Sequence, residues 1–155
     1  MAHAQQQLSR APVLIRLPGP IVRRLLRFGM PLGPNRVLTI RGRRTGQLHT
    51  IPLAVAEVDG RRWVIGTFGE TNWVRNLRAA GEAELEIDGQ RRQVKAVELT
   101  REQAADFFTN VIVPYVARMP RIWRVGVQSL IRFAAPEIYS DPASAAQKHP
   151  VFELI

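Results

Sequence analysis

Two Asp-Gly dipeptides decide most of what this chain can become. HTIPLAVAEV (49–58) and RRWVIGTF (61–68) flank Asp59-Gly60, while ELEI (84–87) and RRQVKAVEL (91–99) flank Asp88-Gly89. Asp-Gly between two runs of β-branched and apolar residues marks a two-residue hairpin turn, because Asp and Gly tolerate the positive φ that such turns require. A turn this short also sets the register: Glu86 faces Arg91, Glu84 faces Gln93 and Glu82 faces Lys95. One face is then polar with matched charges, and Ala83, Leu85, Ile87 and Val94 make the other face apolar. That is the pattern of a half-buried antiparallel sheet. Arg92 falls on the apolar side, which a place at the rim accommodates.

The remaining segments build outward from these hairpins. RVLTIR (36–41) reads as a further strand ending at Gly42. TNWVRNLRAAG (71–81) reads as a helix capped by Thr71 and ended by Gly81, with Trp73, Leu77 and Ala80 on one face. Thr100 caps a second helix, with Glu102 and Gln103 in its first turn. Pro114 and Pro120 punctuate the stretch beyond it, RIWRVGVQSLIRF (121–133) is a third helix, and HPVFELI at 149–155 returns as a strand. At the front, PIVRRLLRFGM sets Ile21, Val22, Leu25 and Leu26 on one face and Arg23, Arg24 and Arg27 on the other. Five to seven short antiparallel strands with a few helices imply a small barrel of α+β type. We expect one domain over 1–155: a basic amphipathic segment (1–35), a barrel core (36–100) and a helical part with a final strand (101–155).

Charge narrows the partners. The chain has 22 Lys and Arg against 13 Asp and Glu, a net +9, which favours a phosphorylated cofactor, nucleic acid or an acidic membrane surface. There is no cysteine, so disulfides, thiolate metal sites and a catalytic thiol are excluded. The three histidines are too scattered for a metal cluster, and no metal is expected. The start of the chain does not read as a secretory signal, so a cytoplasmic setting is expected. Nucleic acid is not expected, because base stacking needs aromatics interleaved with the basic residues.

The segment RGRRTG (41–46) is where the charge concentrates. If Asp59-Gly60 is a turn, Pro52 lies opposite Thr67 and His49 near Gly69. Arg43, Arg44 and Thr45, the Thr67–Gly69 segment and the start of the 72–80 helix should then share one end of the sheet. Guanidinium groups, glycine backbone and free helix N–H groups each favour phosphate or carboxylate. A hairpin whose arginines simply point into water is the competing reading. His149, beside Pro150, is expected in a solvent-exposed loop, and Trp63 and Trp73 are expected in the core.

VLTIRGRRTGQLHTIPLAV, RRWVIGTFGETNWVRNLRAAG and ELEIDGQRRQVKAVELT together resemble the deazaflavin-dependent nitroreductase family of actinobacteria, a branch of the split β-barrel flavin and deazaflavin oxidoreductases. The likeness covers roughly residues 36–100. Its most specific parts are G-R-[RK]-[ST]-G followed by P-L, and N-W-x-x-N-L. The resemblance implies a split barrel, coenzyme F-420 (an 8-hydroxy-5-deazaflavin with a phospholactyl oligoglutamate tail) and hydride transfer to a hydrophobic acceptor such as a quinone, activated alkene or nitro compound. It implies that Arg43, Arg44 and Thr45 hold the phosphate and tail carboxylates, with Gly46 allowing close approach and His49 near them. Pro52 would lie by the ring, Gly66, Thr67 and Phe68 along its edge or face, and Asn72 and Trp73 at the phosphate side. Tyr115 is the candidate proton donor. Two departures stand out: His49 where the family usually has a further basic residue, and a shortened FGET loop (68–71). FMN is the alternative cofactor. The alternative function is a non-catalytic barrel that binds a fatty acid or other lipid at the inner face of the membrane, where the basic 20–30 and 118–132 segments would make peripheral contact. Pairing into a homodimer is compatible with this fold.

Overall fold

The structure, a computed structural model, describes residues 35–155; the predicted amphipathic PIVRRLLRFGM segment lies outside the described residues. Six antiparallel strands close into a barrel in the order β1-β2-β3-β6-β5-β4. They are β1 (Asn35–Arg41), β2 (Leu48–Val58), β3 (Arg61–Ile65), β4 (Glu82–Ile87), β5 (Gln90–Glu98) and β6 (Val151–Leu154). Asp59 and Gly60, then Asp88 and Gly89, all take positive φ, as a type I′ turn demands. The registers agree with these turns: Val58 faces Arg61, and Glu86, Glu84 and Glu82 face Arg91, Gln93 and Lys95. Arg92 is exposed opposite the fully buried Leu85.

Strand β2 changes partner along its length. Its first half, Leu48–Ala54, pairs with β1, and its last four residues pair with β3. Among the described residues no strand pairs with the outer side of 48–54, and Pro52, which lacks an N–H, sits in that stretch. Strand β3 stops at Ile65, three residues short of the predicted 68. A Cβ on Gly66 would come within 3.0 Å of Val74 Cγ2, 3.1 Å of Pro150 Cδ and 3.2 Å of the Gly69 carbonyl. The backbone there is crowded from three sides, and it turns rather than extending the ladder.

The final strand completes the barrel instead of lying at its edge. Val151, Phe152 and Leu154 are buried, Phe152 faces Val64 on β3 and Glu98 on β5, and Arg62 and Ala96 flank Leu154. Alternation along the strands separates two cores. Leu38, Ile40, Val55, Val64, Leu85, Val94 and Phe152 fill the barrel with Val74 and Leu77 of helix α1 (Asn72–Ala80). Trp63, Ala56 and Val151 point outward onto the C-terminal helices, where the Trp63 and Phe107 rings lie 5.3 Å apart.

Those helices are α2 (Arg101–Phe107), a π-helical turn (Phe108–Ile112), α3 (Val113–Arg118), α4 (Arg121–Ala134), α5 (Glu137–Ser140) and α6 (Pro142–Lys148). Thr100 and Gln103 form a reciprocal capping box at α2, as their spacing predicts. Gly81 ends α1 in the left-handed conformation. Thr71 precedes α1 in extended backbone but its side chain makes no cap bond. The chain stays helical through Pro114, so α3, like α5 and α6, departs from the sequence reading.

Candidate functional site

The loop between β1 and β2 turns tightly on its own backbone. Gly46 N–H donates to the Gly42 carbonyl (2.9 Å) and Gly42 N–H to the Gln47 carbonyl (2.7 Å). Gly46 adopts φ +71°, which favours glycine, and its carbonyl accepts from Arg41 Nη1 at 2.9 Å. Thr45 Oγ1 accepts from the Gln47 N–H at 3.3 Å. The His49 ring lies against Gly42, where a Cβ would meet its Nε2 at 2.7 Å. The histidine therefore braces the base of the loop.

The loop and helix α1 meet. Arg43 Nη1 donates to Asn76 Oδ1 at 2.7 Å, its backbone N–H reaches the same oxygen at 3.3 Å, and its Nη2 reaches Asn72 Oδ1 at 3.5 Å. Asn72 and Asn76 are one helical turn apart, so both amides face the loop. An amide accepts a hydrogen bond without cancelling charge, and Arg43 keeps its full positive charge while being held in place. Arg44 is exposed and makes no hydrogen bond or ion pair among the described residues. The Thr71 hydroxyl, at the start of α1, is buried without a hydrogen-bond partner.

The other wall of this end is the turn after β3. Gly69 N–H donates to the Gly66 carbonyl (2.8 Å), and Gly66 N–H to the Pro150 carbonyl (2.7 Å). Phe68 is 46% exposed, Thr67 and Trp73 are half-buried, and Pro52 and Leu48 are exposed on the unpaired stretch of β2. The β2–β3 ladder ends at the Val55–Val64 pair, so the expected Pro52–Thr67 pairing is not part of it. Arg78 ties the far side of the turn down through Glu70 (2.7 Å) and Glu98 (2.5 Å). Its hydrogen bond to Glu70 holds that carboxyl below the usual range.

Of the residues expected at a cofactor site, Arg43, Arg44, Thr45, Gly46 and His49 share the loop and Asn72 adjoins them. Pro52, Gly66, Thr67, Phe68 and Trp73 lie on the elements that border it. Tyr115 is not among them. It lines a small cavity of about 60 Å³ with Arg36, Glu57, Arg62 and Ile87, at the strand ends opposite the arginine loop. Asn76 escaped the sequence reading, although its i, i+4 spacing from Asn72 was a usable signal. His149 is a correction: it is 5% exposed, packed between the Gly66 turn and α5, because the chain must pass through the interior to enter β6. Among the described residues no three His, Cys, Asp or Glu side chains cluster as a metal site.

A family model described as F420H(2)-dependent quinone reductase matches residues 15–126. No curated protein matches the chain. Similar solved structures include an F420-H2 dependent reductase, 17% identical with a TM-score of 0.44, covering 79% of this chain and 94% of that one. A conserved hypothetical protein from Mycobacterium tuberculosis is 15% identical with a TM-score of 0.42, covering 90% and 80%. An FAD-binding protein from Mesorhizobium loti is 14% identical with a TM-score of 0.42, covering 89% and 88%. The family match spans most of the chain and agrees with the closed antiparallel barrel: the chain belongs to this F420-dependent quinone reductase family and is an F420-dependent oxidoreductase.

Proposed function

We propose that the arginine loop and the start of α1 hold the phosphate and tail carboxylates of coenzyme F-420, and that the enzyme passes hydride to a hydrophobic acceptor, a quinone first among them. The observation that carries this reading is the bonding of Arg43 to Asn76 and Asn72, which joins the loop to the helix start. The donor set fits the group. Arg43 retains its charge, Arg44 is unengaged among the described residues, and the orphaned Thr71 hydroxyl stands at a helix start whose first N–H groups lack helical acceptors. Bidentate guanidinium contacts to an oxyanion are charge-assisted, about 1.5–3 kcal/mol each. Pro52, Gly66, Thr67, Phe68 and Trp73 would border the planar ring, with Gly46 and His49 at the loop base. When bound, the reduced deazaflavin supplies the hydride; the chain's own residues bind, orient and shield it. The end is open to water at Phe68 and Leu48, so solvent supplies the accompanying proton.

The test is a titration followed by tryptophan fluorescence, with FMN in parallel. Coenzyme F-420 is expected to bind, and Arg44→Ala to weaken it roughly 10- to 100-fold, the equivalent of about 1.5–3 kcal/mol, with no change in melting temperature. Unaltered affinity in Arg44→Ala defeats the reading. Preference for FMN would reassign the cofactor. The non-catalytic lipid-binding alternative is not favoured, since the matched family is one of reductases.

A lipid-soluble acceptor would be met at a membrane surface, and α4 supports that. Ile122 (77% exposed), Val125 and Phe133 project from it unburied. From Phe107 to Pro136 there are four arginines and no acidic residue. No helix among the described residues is long and apolar enough to cross a membrane, whereas an amphipathic basic helix suits contact with anionic lipid. Co-sedimentation with anionic but not zwitterionic vesicles, lost in the Ile122→Asp, Phe133→Asp double variant, is the expected result. Equal recovery with both vesicle types contradicts it.

A further inference from the structure

His149 has an unusual pair of neighbours. Its Nδ1 lies 3.3 Å from the Gly66 carbonyl oxygen, and its Nε2 lies 3.6 Å from Glu137 Oε2. Both neighbours are acceptors. A neutral imidazole has one N–H, so either tautomer turns a lone pair toward one of the two oxygens; only the doubly protonated ring donates to both. The ring is buried, so water does not relieve the conflict, and Nε2 lacks a hydrogen-bond partner at the observed distance. Glu137, on α5, is the charged group that faces the ring, and its other oxygen takes Lys148 Nζ at 2.5 Å. The 66–69 turn offers the ring only backbone. Glu137 is held down to about 2, chiefly by the Lys148 hydrogen bond, so it stays anionic throughout the range in which histidines titrate.

The carbonyl that His149 touches is the one that closes the turn. Gly66 O also accepts from Gly69 N–H (2.8 Å), while Gly66 N–H donates to Pro150 O, the residue after the histidine. Gly69 has no slack either, since a Cβ there would stand 3.3 Å from the Lys148 carbonyl. Residues 148–150 thus form the mould on which Thr67 and Phe68 are set.

We propose that His149 is a positioning residue for the Thr67–Phe68 turn, and that its imidazolium, bridging the Gly66 carbonyl to Glu137, makes the shape of that wall and the affinity for the coenzyme depend on pH. This rests on the reading that the turn borders the deazaflavin. The bonds give the sign. Protonated, the ring donates to the Gly66 carbonyl and sets its charge 3.6 Å from Glu137; neutral, it turns a lone pair toward one of the two oxygens, and the turn loosens.

Two readouts test it. The first needs no coenzyme: imidazole nitrogen resonances of His149 and backbone amide resonances of Thr67 and Phe68 are followed together from about pH 5 to 8.5. The amides are expected to shift with the midpoint of the ring; amides that ignore the ring's titration overturn the proposal. The second is coenzyme affinity over the same interval, expected to weaken about three- to tenfold as the ring deprotonates. In His149→Gln the side-chain amide donates to Gly66 O at any pH, so affinity should stay near the low-pH wild-type value and the dependence should flatten. His3 and His49 are intact in that variant, so a full surviving dependence arises elsewhere than at His149 and overturns the proposal. Should His149→Gln not fold, Glu137→Gln keeps the ring and is expected to lower the midpoint of both the ring and the turn amides; movement of one without the other has the same adverse meaning. Absence of coenzyme binding at every pH, with the amides still tracking the ring, sinks the cofactor reading and leaves the positioning role standing.

Discussion

At the barrel end that carries the Asp-Gly turns, arginines meet carboxylates: Arg61 with Glu153 at 2.7 Å, Arg62 with Glu57 at 3.1 Å, and Arg91 near Glu84 at 3.9 Å. At the other end Arg43 is held by two neutral amides, and Arg44 by nothing among the described residues. Arg78, which meets Glu70 and Glu98, shows that the contrast belongs to the loop and not to every arginine near it. A carboxylate partner cancels the field that an incoming anion would feel, while an asparagine fixes the side chain and leaves that field intact. The difference separates arginines that staple strands together from loop arginines whose charge no carboxylate cancels among the described residues.

Five substitutions probe the two ends and what they share. The largest effect belongs to what the two ends share. Phe152→Ala empties a fully buried site in the barrel interior and should cost about 3–5 kcal/mol in urea unfolding, degrading both ends together. Asn76→Ala strips Arg43 of its buried acceptor and should cost about 1–3 kcal/mol with weaker coenzyme binding. Asn76→Asp is the sharper version: it keeps an acceptor and recovers stability, yet adds the charge that Arg43 now lacks opposite it, so affinity should fall at least tenfold. Wild-type affinity in Asn76→Asp would break the comparison. Arg62→Ala, at the stapled end, should cost less than about 1 kcal/mol and leave coenzyme affinity alone. The smallest effect concerns acid. Glu137 is lowered from 4.5 to about 2 in the fold, so its contribution is present above about pH 4.5 and is lost as pH falls toward 2. Lys148→Met, which removes the main cause, should flatten that part of the stability curve.

What could be read in advance was whatever depends on near neighbours. Both Asp-Gly turns, the charge-matched register of β4 and β5, the Thr100 capping box and the meeting of arginine loop with helix start all come from short-range chemistry and one counted register. The readings that failed depend on distant contacts. Strand β3 ends early because Pro150 and Val74 crowd Gly66, and His149 is buried by a turn 83 residues away in the chain. A histidine next to a proline looks like a surface loop until the last strand is known to run through the middle of the sheet. Thr71 is an adequate cap by type, but its hydroxyl bonds to none of the helix N–H groups. Asn76 sits inside the N-W-x-x-N-L motif, and only the position of the loop shows what it does. Tyr115, expected from kinship, lines the cavity at the strand ends away from the arginine loop.

Strand β2 hands its hydrogen bonds from one neighbour to the next halfway along, and this leaves the outer side of 48–54 without a strand partner among the described residues. Ile51 and Leu53 pack onto the barrel core and Gly66 is crowded, whereas Leu48, Pro52 and Phe68 stay exposed. Those three can vary in size and polarity without unseating the fold. A scaffold built this way can be resurfaced along one lip while the arginine loop, braced on α1, stays as it is.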